Sequence, residues 1–334
     1  MPPTVASDHL STDSLSTRKS LRELIIGTRG SMLAVAQTTL VEQVIRAANP
    51  DLGIRRERIT TKGDLILDRP LAAIDGKGLF VAEIEQALRE HRIDLAVHSA
   101  KDLPSEVPPD MALPVFTRRV DPRDVLVSRY GTLHRLPPDA RVGTSSPRRI
   151  AQLRALRPDL CLVAMRGNVD TRLRLLDEGA FDAIVLAAAG LERLGLQHRI
   201  TQHFSPTEML PSVGQGALAL ETRAGDDDIA QLIAALDHPA THAAVVAERE
   251  FLAVVGGGCS VPVAAYAEVS DDRLTLAGFI GSRDSVASVR DELSGQTADA
   301  LLIGRTLAHT LLAAGGARLL GTDSSPAPGT AGTA

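Results

Sequence analysis

The sequence predicts an α/β protein, and three observations carry that prediction. At 334 residues the chain is long enough for two or three domains, each with its own core. Apolar runs of strand length are followed repeatedly by a turn bearing Gly or Ser and then by a segment of helical periodicity, the pattern that builds parallel sheets. Polar and charged residues stand directly after these runs, at strand carboxyl ends, where open α/β sheets place their sites.

The body of the chain begins at Leu21. Residues 1–20 are rich in Ser and Thr, lack an apolar signal core and carry Asp8 and Asp13 against a transit segment, so a disordered tail is expected. Leu24-Ile25-Ile26 reads as a short buried strand. Gly27-Thr28-Arg29-Gly30-Ser31 then opens a helix to about Ala48 with Ser31 as N-cap, a turn that offers backbone N–H groups to an anion. A strand near 54–60 precedes Thr61-Lys62-Gly63-Asp64 and a segment to Gly78 with little periodicity, whose length marks a mobile functional loop. Residues 79–91 resume as a helix, with Leu79, Ile84, Ala87 and Leu88 toward the core. The strand 93–97 then runs into His98-Ser99-Ala100-Lys101-Asp102.

A second unit begins near Arg118. Val125-Leu126-Val127 and Arg141-Val142-Gly143 read as strands. Thr144-Ser145-Ser146-Pro147-Arg148-Arg149 follows, with Ser146 as N-cap and Pro147 at the first helical position. The pattern repeats with strand 160–164, Arg166-Gly167-Asn168 and a helix from Val169 to Asp177 carrying Arg172. It comes again with strand 182–186 and a helix over 187–194 carrying Arg193. Pro211-Ser212-Val213-Gly214-Gln215-Gly216 reads as a glycine hinge leading back to the first unit. Ala243, Val246, Ala247, Glu250, Phe251 and Val254 mark a further helix, and Val261, Val263, Ala265 and Ala267 alternate as a strand. Residues 321–334 have little to bury and are expected to be a second loose tail.

Composition bounds the function. With 36 basic and 41 acidic side chains the net charge is -5, which argues against a general nucleic-acid binder or a membrane-surface protein. Two cysteines cannot build a disulfide framework, so a reducing cytosol is the expected compartment. Trp is absent and aromatics are scarce, which removes base-stacking platforms. No apolar run reaches the length a membrane helix needs, and no Cys or His cluster has metal-ligand spacing, so no metal is expected.

Two features point to chemistry. Successive strand-to-helix turns of the second unit place arginines near helix starts, where the dipole already favours anions and the guanidinium fork holds carboxylates bidentately. An acidic-ligand pocket accounts for that repetition better than solvated surface arginines do. Only Lys19, Lys62, Lys77 and Lys101 are lysines, and three of them stand beside glycines or at a strand end, where a flexible point charge is useful. The second feature is Cys259, preceded by Gly256-Gly257-Gly258 between the predicted helix and strand. Bare glycine backbone lets a bulky group approach the thiol. Cys259 reads either as a small buried thiol in a tight turn or as a thiol that does covalent chemistry. The other cysteine, Cys161, reads as part of an apolar strand.

Thr28-Arg29-Gly30-Ser31, Gly76-Lys77-Gly78-Leu79-Phe80, His98-Ser99-Ala100-Lys101-Asp102, Gly143-Thr144-Ser145-Ser146-Pro147-Arg148-Arg149, Arg166-Gly167-Asn168-Val169, Gly214-Gln215-Gly216 and Gly257-Gly258-Cys259 occur in one order and at compatible spacing. Together they closely resemble the porphobilinogen deaminase (hydroxymethylbilane synthase) family, over roughly residues 21–320. Met32 stands where the family usually has Pro, Ala100 where it often has Met, and Gly256 where it often has Glu.

The resemblance implies two α/β domains like those of periplasmic binding proteins, with the site in the cleft, and a smaller α+β C-terminal domain presenting the cysteine. On this chain the domains would be 21–117 with 215–237, 118–214, and 238–320. It implies a dipyrromethane cofactor held by a thioether on Cys259, and porphobilinogen as substrate for a cytoplasmic, monomeric transferase with no nucleic-acid or membrane partner. Arg29, Arg148, Arg149, Arg166, Arg172 and Arg193 would hold the acetate and propionate groups, and Ser31, Lys101, Thr144, Ser146 and Gln215 would complete the polar shell. Asp102, with Lys101 beside it, would be the catalytic group, facing pyrrole nitrogens and stabilising the cationic azafulvene formed as ammonia leaves.

Two other classes fit parts of the sequence. A non-enzymatic two-lobed binding protein for a small polycarboxylate or other anion explains the arginines and the cleft but not the glycine-flanked Cys259. A cysteine-nucleophile hydrolase explains Cys259, but no Cys-His pairing is evident.

Overall fold

The protein's structure, a computed structural model, describes residues 23–65, 81–256, 258 and 261–321. The N-terminal tail, most of the 61–78 loop, the C-terminal tail after Gly321, and Cys259 itself lie outside the described residues.

The first lobe grows from β1 (Glu23–Arg29), which pairs in parallel with β2 (Gly53–Ile59) and β3 (Leu95–Ser99). Helix α1 (Met32–Ala48) connects β1 to β2. Its start is set by Ser31, whose Oγ accepts from the Ala34 backbone N–H at 3.2 Å. The short α2 (Lys62–Leu65) and α3 (Ala82–Arg89) precede β3, and β4 (Met111–Phe116) closes this part of the chain.

The second lobe begins at β5 (Asp124–Ser128), followed by β6 (Arg141–Gly143), α4 (Pro147–Leu156), β7 (Cys161–Val163) and α5 (Val169–Asp177). It ends with β8 (Ala183–Ala187), α6 (Ala188–Arg193) and β9 (Gln202–His203). The chain then returns to the first sheet as β10 (Leu218–Arg223), followed by α7 (Asp227–Ile233).

The two sheets share a plan: β2-β1-β3-β10-β4 in one and β7-β6-β8-β5-β9 in the other. Each holds a parallel trio beside one antiparallel strand adjoining a crossover between lobes, β10 in the first and β5 in the second. Helix-covered faces explain why β8 is buried at every position and reads as a continuous apolar run. The two crossovers run side by side, and the Val120 N–H donates to the Gly216 carbonyl at 3.3 Å. Gly216 has φ +94°, and a Cβ there would lie 2.5 Å from the Val120 oxygen, so only glycine fits this crossing.

The smaller third domain is α8 (Pro239–Val255) with an antiparallel meander of β11 (Val263–Ser270), β12 (Arg273–Gly281) and β13 (Ser288–Gln296), then α9 (Ala300–Leu311) and α10 (Ala317–Leu320). Its core joins Phe251 of α8, Leu276 of β12 and Leu307 of α9. It touches both lobes. Val245 packs with Phe116 and Ala219 of the first, and Ala264 and Phe279 pack with Ala151 and Leu210 of the second. Gly256 ends α8 in the left-handed region at φ +74°, which makes the turn toward Cys259 a glycine cap.

Three expectations need adjustment. Cys161 does lie in an apolar strand, but it is exposed, because β7 is a three-residue edge strand paired, among the described residues, with β6 alone. Arg193 is the last residue of α6 and so stands at a helix end, not near its start. The helical stretch Thr297–Leu320 is long and apolar enough, by length and composition, to cross a membrane. It is kinked at Gly315 (φ 111°), and it buries Ile303, Leu307 and Leu311 in the third domain, the behaviour of a core helix.

Candidate active site

Strand carboxyl ends of both lobes face one cavity of about 590 Å³. From the first lobe come Arg29, Gly30 and Ser31 of the β1–α1 turn, Asp64 of α2, and Lys101 and Asp102 after β3. The second lobe supplies Arg149 in the first turn of α4, residues 166–172 at the start of α5, and Leu186 and Ala187 of β8. Seven residues singled out from sequence therefore line one cavity: Arg29, Ser31, Lys101, Asp102, Arg149, Arg166 and Arg172.

The remaining candidates stand behind the wall. Thr144 is buried, and its Oγ1 accepts from the Ser146 N–H at 3.3 Å; the Ser146 Oγ caps α4 by accepting from the Arg149 N–H. Arg148 is turned away from the cavity: its Nη1 donates to Asp124 Oδ2 at 2.6 Å and to the Leu210 carbonyl at 2.8 Å. Arg193 donates to the Gly216 carbonyl at 2.7 Å and so ties the second lobe to the crossover. Gln215 is buried. It receives a hydrogen bond from Lys101 Nζ at 3.3 Å and donates to the Pro122 carbonyl at 2.6 Å.

Two carboxylates important to this geometry carried no role in the sequence reading. Asp64 accepts from Arg29 Nη2 at 2.5 Å and from Thr61 Oγ1 at 2.8 Å. Burial works against its charge, but these hydrogen bonds outweigh it and hold its pKa below the usual carboxylate range. Asp124 is fully buried between Arg148 and Arg149, and despite the burial their charges hold it far below that range. Thr61-Lys62-Gly63-Asp64 was at least a visible polar turn. Asp124 merely precedes the apolar Val125-Leu126-Val127, and its partners lie 24 and 25 residues further on.

The cavity carries an excess of positive charge. Arg29, Lys101, Arg149, Arg166 and Arg172 line it against Asp64, Asp102 and Asp170, and Asp64 is already engaged by Arg29. Burial, with Arg149 as a cationic neighbour, pulls Lys101 down to about 8 even though Asp102 supports its charge. Burial and the nearby Arg149 and Arg166 lower Arg172 to about 10. Like charges crowded this way favour a polyanionic ligand that would relieve them. A dipyrromethane carries acetate and propionate carboxylates, and the donor set suits it. Asp102 is half-buried and accepts no hydrogen bond from the described residues, so its lone pairs can take N–H groups of a ligand. Among the described residues no group of His, Cys, Asp and Glu is placed to hold a metal ion.

Comparison with known proteins bears on the family of the chain. Residues 24–231 match the family model described as "Porphobilinogen deaminase, dipyromethane cofactor binding domain", and residues 242–313 match "Porphobilinogen deaminase, C-terminal domain". The chain is 59% identical over 298 residues to the porphobilinogen deaminase of Roseiflexus castenholzii, covering 89% of this chain and 98% of that one. It is 48% identical over 300 residues to that of Syntrophobacter fumaroxidans, covering 90% and 97%. Among solved structures, the aliphatic sulphonate binding protein SsuA of Escherichia coli aligns with a TM-score of 0.38 and 18% identity, over 66% of this chain and 68% of that one.

Proposed function

The chain belongs to the porphobilinogen deaminase family, and we propose that the cavity between its two lobes is where it performs that family's reaction. The protein is a hydroxymethylbilane synthase, a transferase that joins four porphobilinogens head to tail into a linear tetrapyrrole, releasing ammonia at each addition. It uses a dipyrromethane cofactor. The match to a cofactor-binding domain sets aside the reading as a simple binding protein.

In our reading Cys259 anchors the cofactor, and the cap at Gly256 leaves bare backbone where it approaches. When bound, the dipyrromethane supplies the terminal pyrrole that accepts the first substrate unit. Arg149, Arg166 and Arg172 take carboxylates from the second lobe. Arg29, steadied by Asp64, takes them from the first, with Ser31 beside it. Thr144, Ser146, Arg148, Arg193 and Gln215 support this shell from behind. Asp102 orients pyrrole N–H groups and offsets the positive charge that develops as ammonia leaves, with Lys101 as its cationic neighbour.

The observation that carries the reading is a carboxylate that accepts no hydrogen bond from the described residues, Asp102, set among buried and half-buried cations that favour a polyanion. We assign the domains as 21–117 with 215–237, 118–214 and 238–320, and place the protein in the cytoplasm as a monomer; scarce cysteines support the compartment. Intact mass tests the anchor. Protein from porphobilinogen-producing cells should carry a pyrrolic adduct, and Cys259→Ala should lack both adduct and activity, because alanine cannot form the thioether. A fully active Cys259→Ala enzyme would sink the assignment.

A further inference from the structure

We propose that Asp124 is a positioning residue for the cleft: it fixes Arg149 at the cavity wall and, through Gln215, Lys101 on the opposite lobe. This rests on the reading of the cleft as the condensation site. Asp124 opens β5, the first strand of the second lobe, and is 0% exposed. Its Oδ1 accepts from Arg149 Nε at 3.0 Å, from Arg149 Nη2 at 2.7 Å and from Gln215 Nε2 at 3.2 Å. Its Oδ2 accepts from Arg148 Nη1 at 2.6 Å. Gln215 in turn accepts from Lys101 Nζ at 3.3 Å. One buried carboxylate thus begins a path that runs through the crossover to the cation beside Asp102.

Donor counting gives Arg149 its role. A guanidinium has five N–H groups. Asp124 takes one on Nε and one on Nη2, and the Val185 carbonyl takes one on Nη1 at 2.7 Å. Two N–H groups remain, one on each terminal nitrogen, for a ligand carboxylate. Arg148 is the second counter-charge of Asp124 and does not reach the cavity. Without the Asp124 carboxylate two buried guanidinium groups would have no common anion, and Arg149 would lose two of its three fixed bonds.

Among the described residues, the charges that act most on Lys101 are Asp102 on its own turn, Asp124 from β5, and Arg148 and Arg149 from α4. Both carboxylates support its protonation and both arginines oppose it. Removing Asp124 therefore lowers the Lys101 pKa further below about 8.

The test is Asp124→Asn in cofactor-loaded enzyme, with kcat and KM for porphobilinogen measured across pH. The KM should rise by about tenfold or more, the effect of loosening a charged hydrogen-bonding group. The alkaline limb of the profile should move to lower pH, and Asp124→Glu should recover part of both changes. A loaded Asp124→Asn enzyme that loses only thermal stability, with parent KM and pH profile, would overturn the proposal. Should Asp124→Asn fail to fold or to load, Gln215→Leu decides. It removes the hydrogen bond to Lys101 while leaving the Asp124–arginine contacts, so the alkaline limb should move the same way, and a parent profile overturns the proposal. Arg149→Leu separates this from the wider reading: parent kinetics there would remove the cleft assignment itself.

Discussion

Asp102→Asn is the replacement in which chemistry and stability should part most clearly. The wild-type carboxylate is half-buried, lines the cavity and accepts no hydrogen bond from the described residues. None of the described residues hydrogen-bonds to its lone pairs, so the amide should change unfolding free energy by less than about 1 kcal/mol. Its charge is a different matter. Asp102 supports the protonated forms of both Lys101 and Arg172, and in the proposed reaction it is the carboxylate that faces positive charge as an amine departs. A group that acts mainly in the transition state shows its loss in turnover more than in KM. The expected fall in kcat is about hundredfold, the scale of losing one well-placed electrostatic group. Asp102→Glu keeps the charge, displaces it by one methylene, and should retain partial activity. Steady-state kinetics on both variants, with urea unfolding and circular dichroism, measure the two effects separately. Unchanged turnover in Asp102→Asn would refute the charge-stabilising role and leave Asp102 only a support for Lys101.

Arg148→Leu leaves Asp124 short of one counter-charge and the Leu210 carbonyl without the Arg148 donor in a buried setting. It should cost about 1–3 kcal/mol of stability by urea unfolding, and an unchanged midpoint would contradict the ion-pair argument. Cys161→Ala removes an exposed thiol from an edge strand. It should stay active, with stability altered by less than about 0.5 kcal/mol in the same assay. A larger loss would mean that the thiol packs against something.

Local rules made much of this fold legible. Ser31 and Ser146-Pro147 announce the starts of α1 and α4, because an N-cap oxygen and a proline at the first turn act within a few residues of themselves. Apolar runs marked β1, β5 and β8, and the helix Val169–Asp177 matches the periodicity of its residues. Local patterning misled only where context decides. Cys161 stands in a run of apolar residues, but strand order places that run at a sheet edge. Composition alone cannot assign the apolar stretch 297–320; its packing in the third domain does.

Sequence by itself determined which chemical groups are available: an arginine-rich set of helix starts, Lys101-Asp102 at a strand end, and a glycine-flanked Cys259. Those are properties of residue type and near-neighbour spacing. Only the tertiary structure decided which arginines face the cavity. Arg148 and Arg149 are adjacent in sequence and Asp124 on β5 accepts from both, yet Arg149 lines the cavity while Arg148 is turned inward, Arg149 held by the Val185 carbonyl and Arg148 by that of Leu210. Asp64 on Arg29 and Gln215 on Lys101 are contacts of the same kind. A buried carboxylate selects its partners through the low-dielectric space around it, and that space exists only after strands distant in the chain have been brought together.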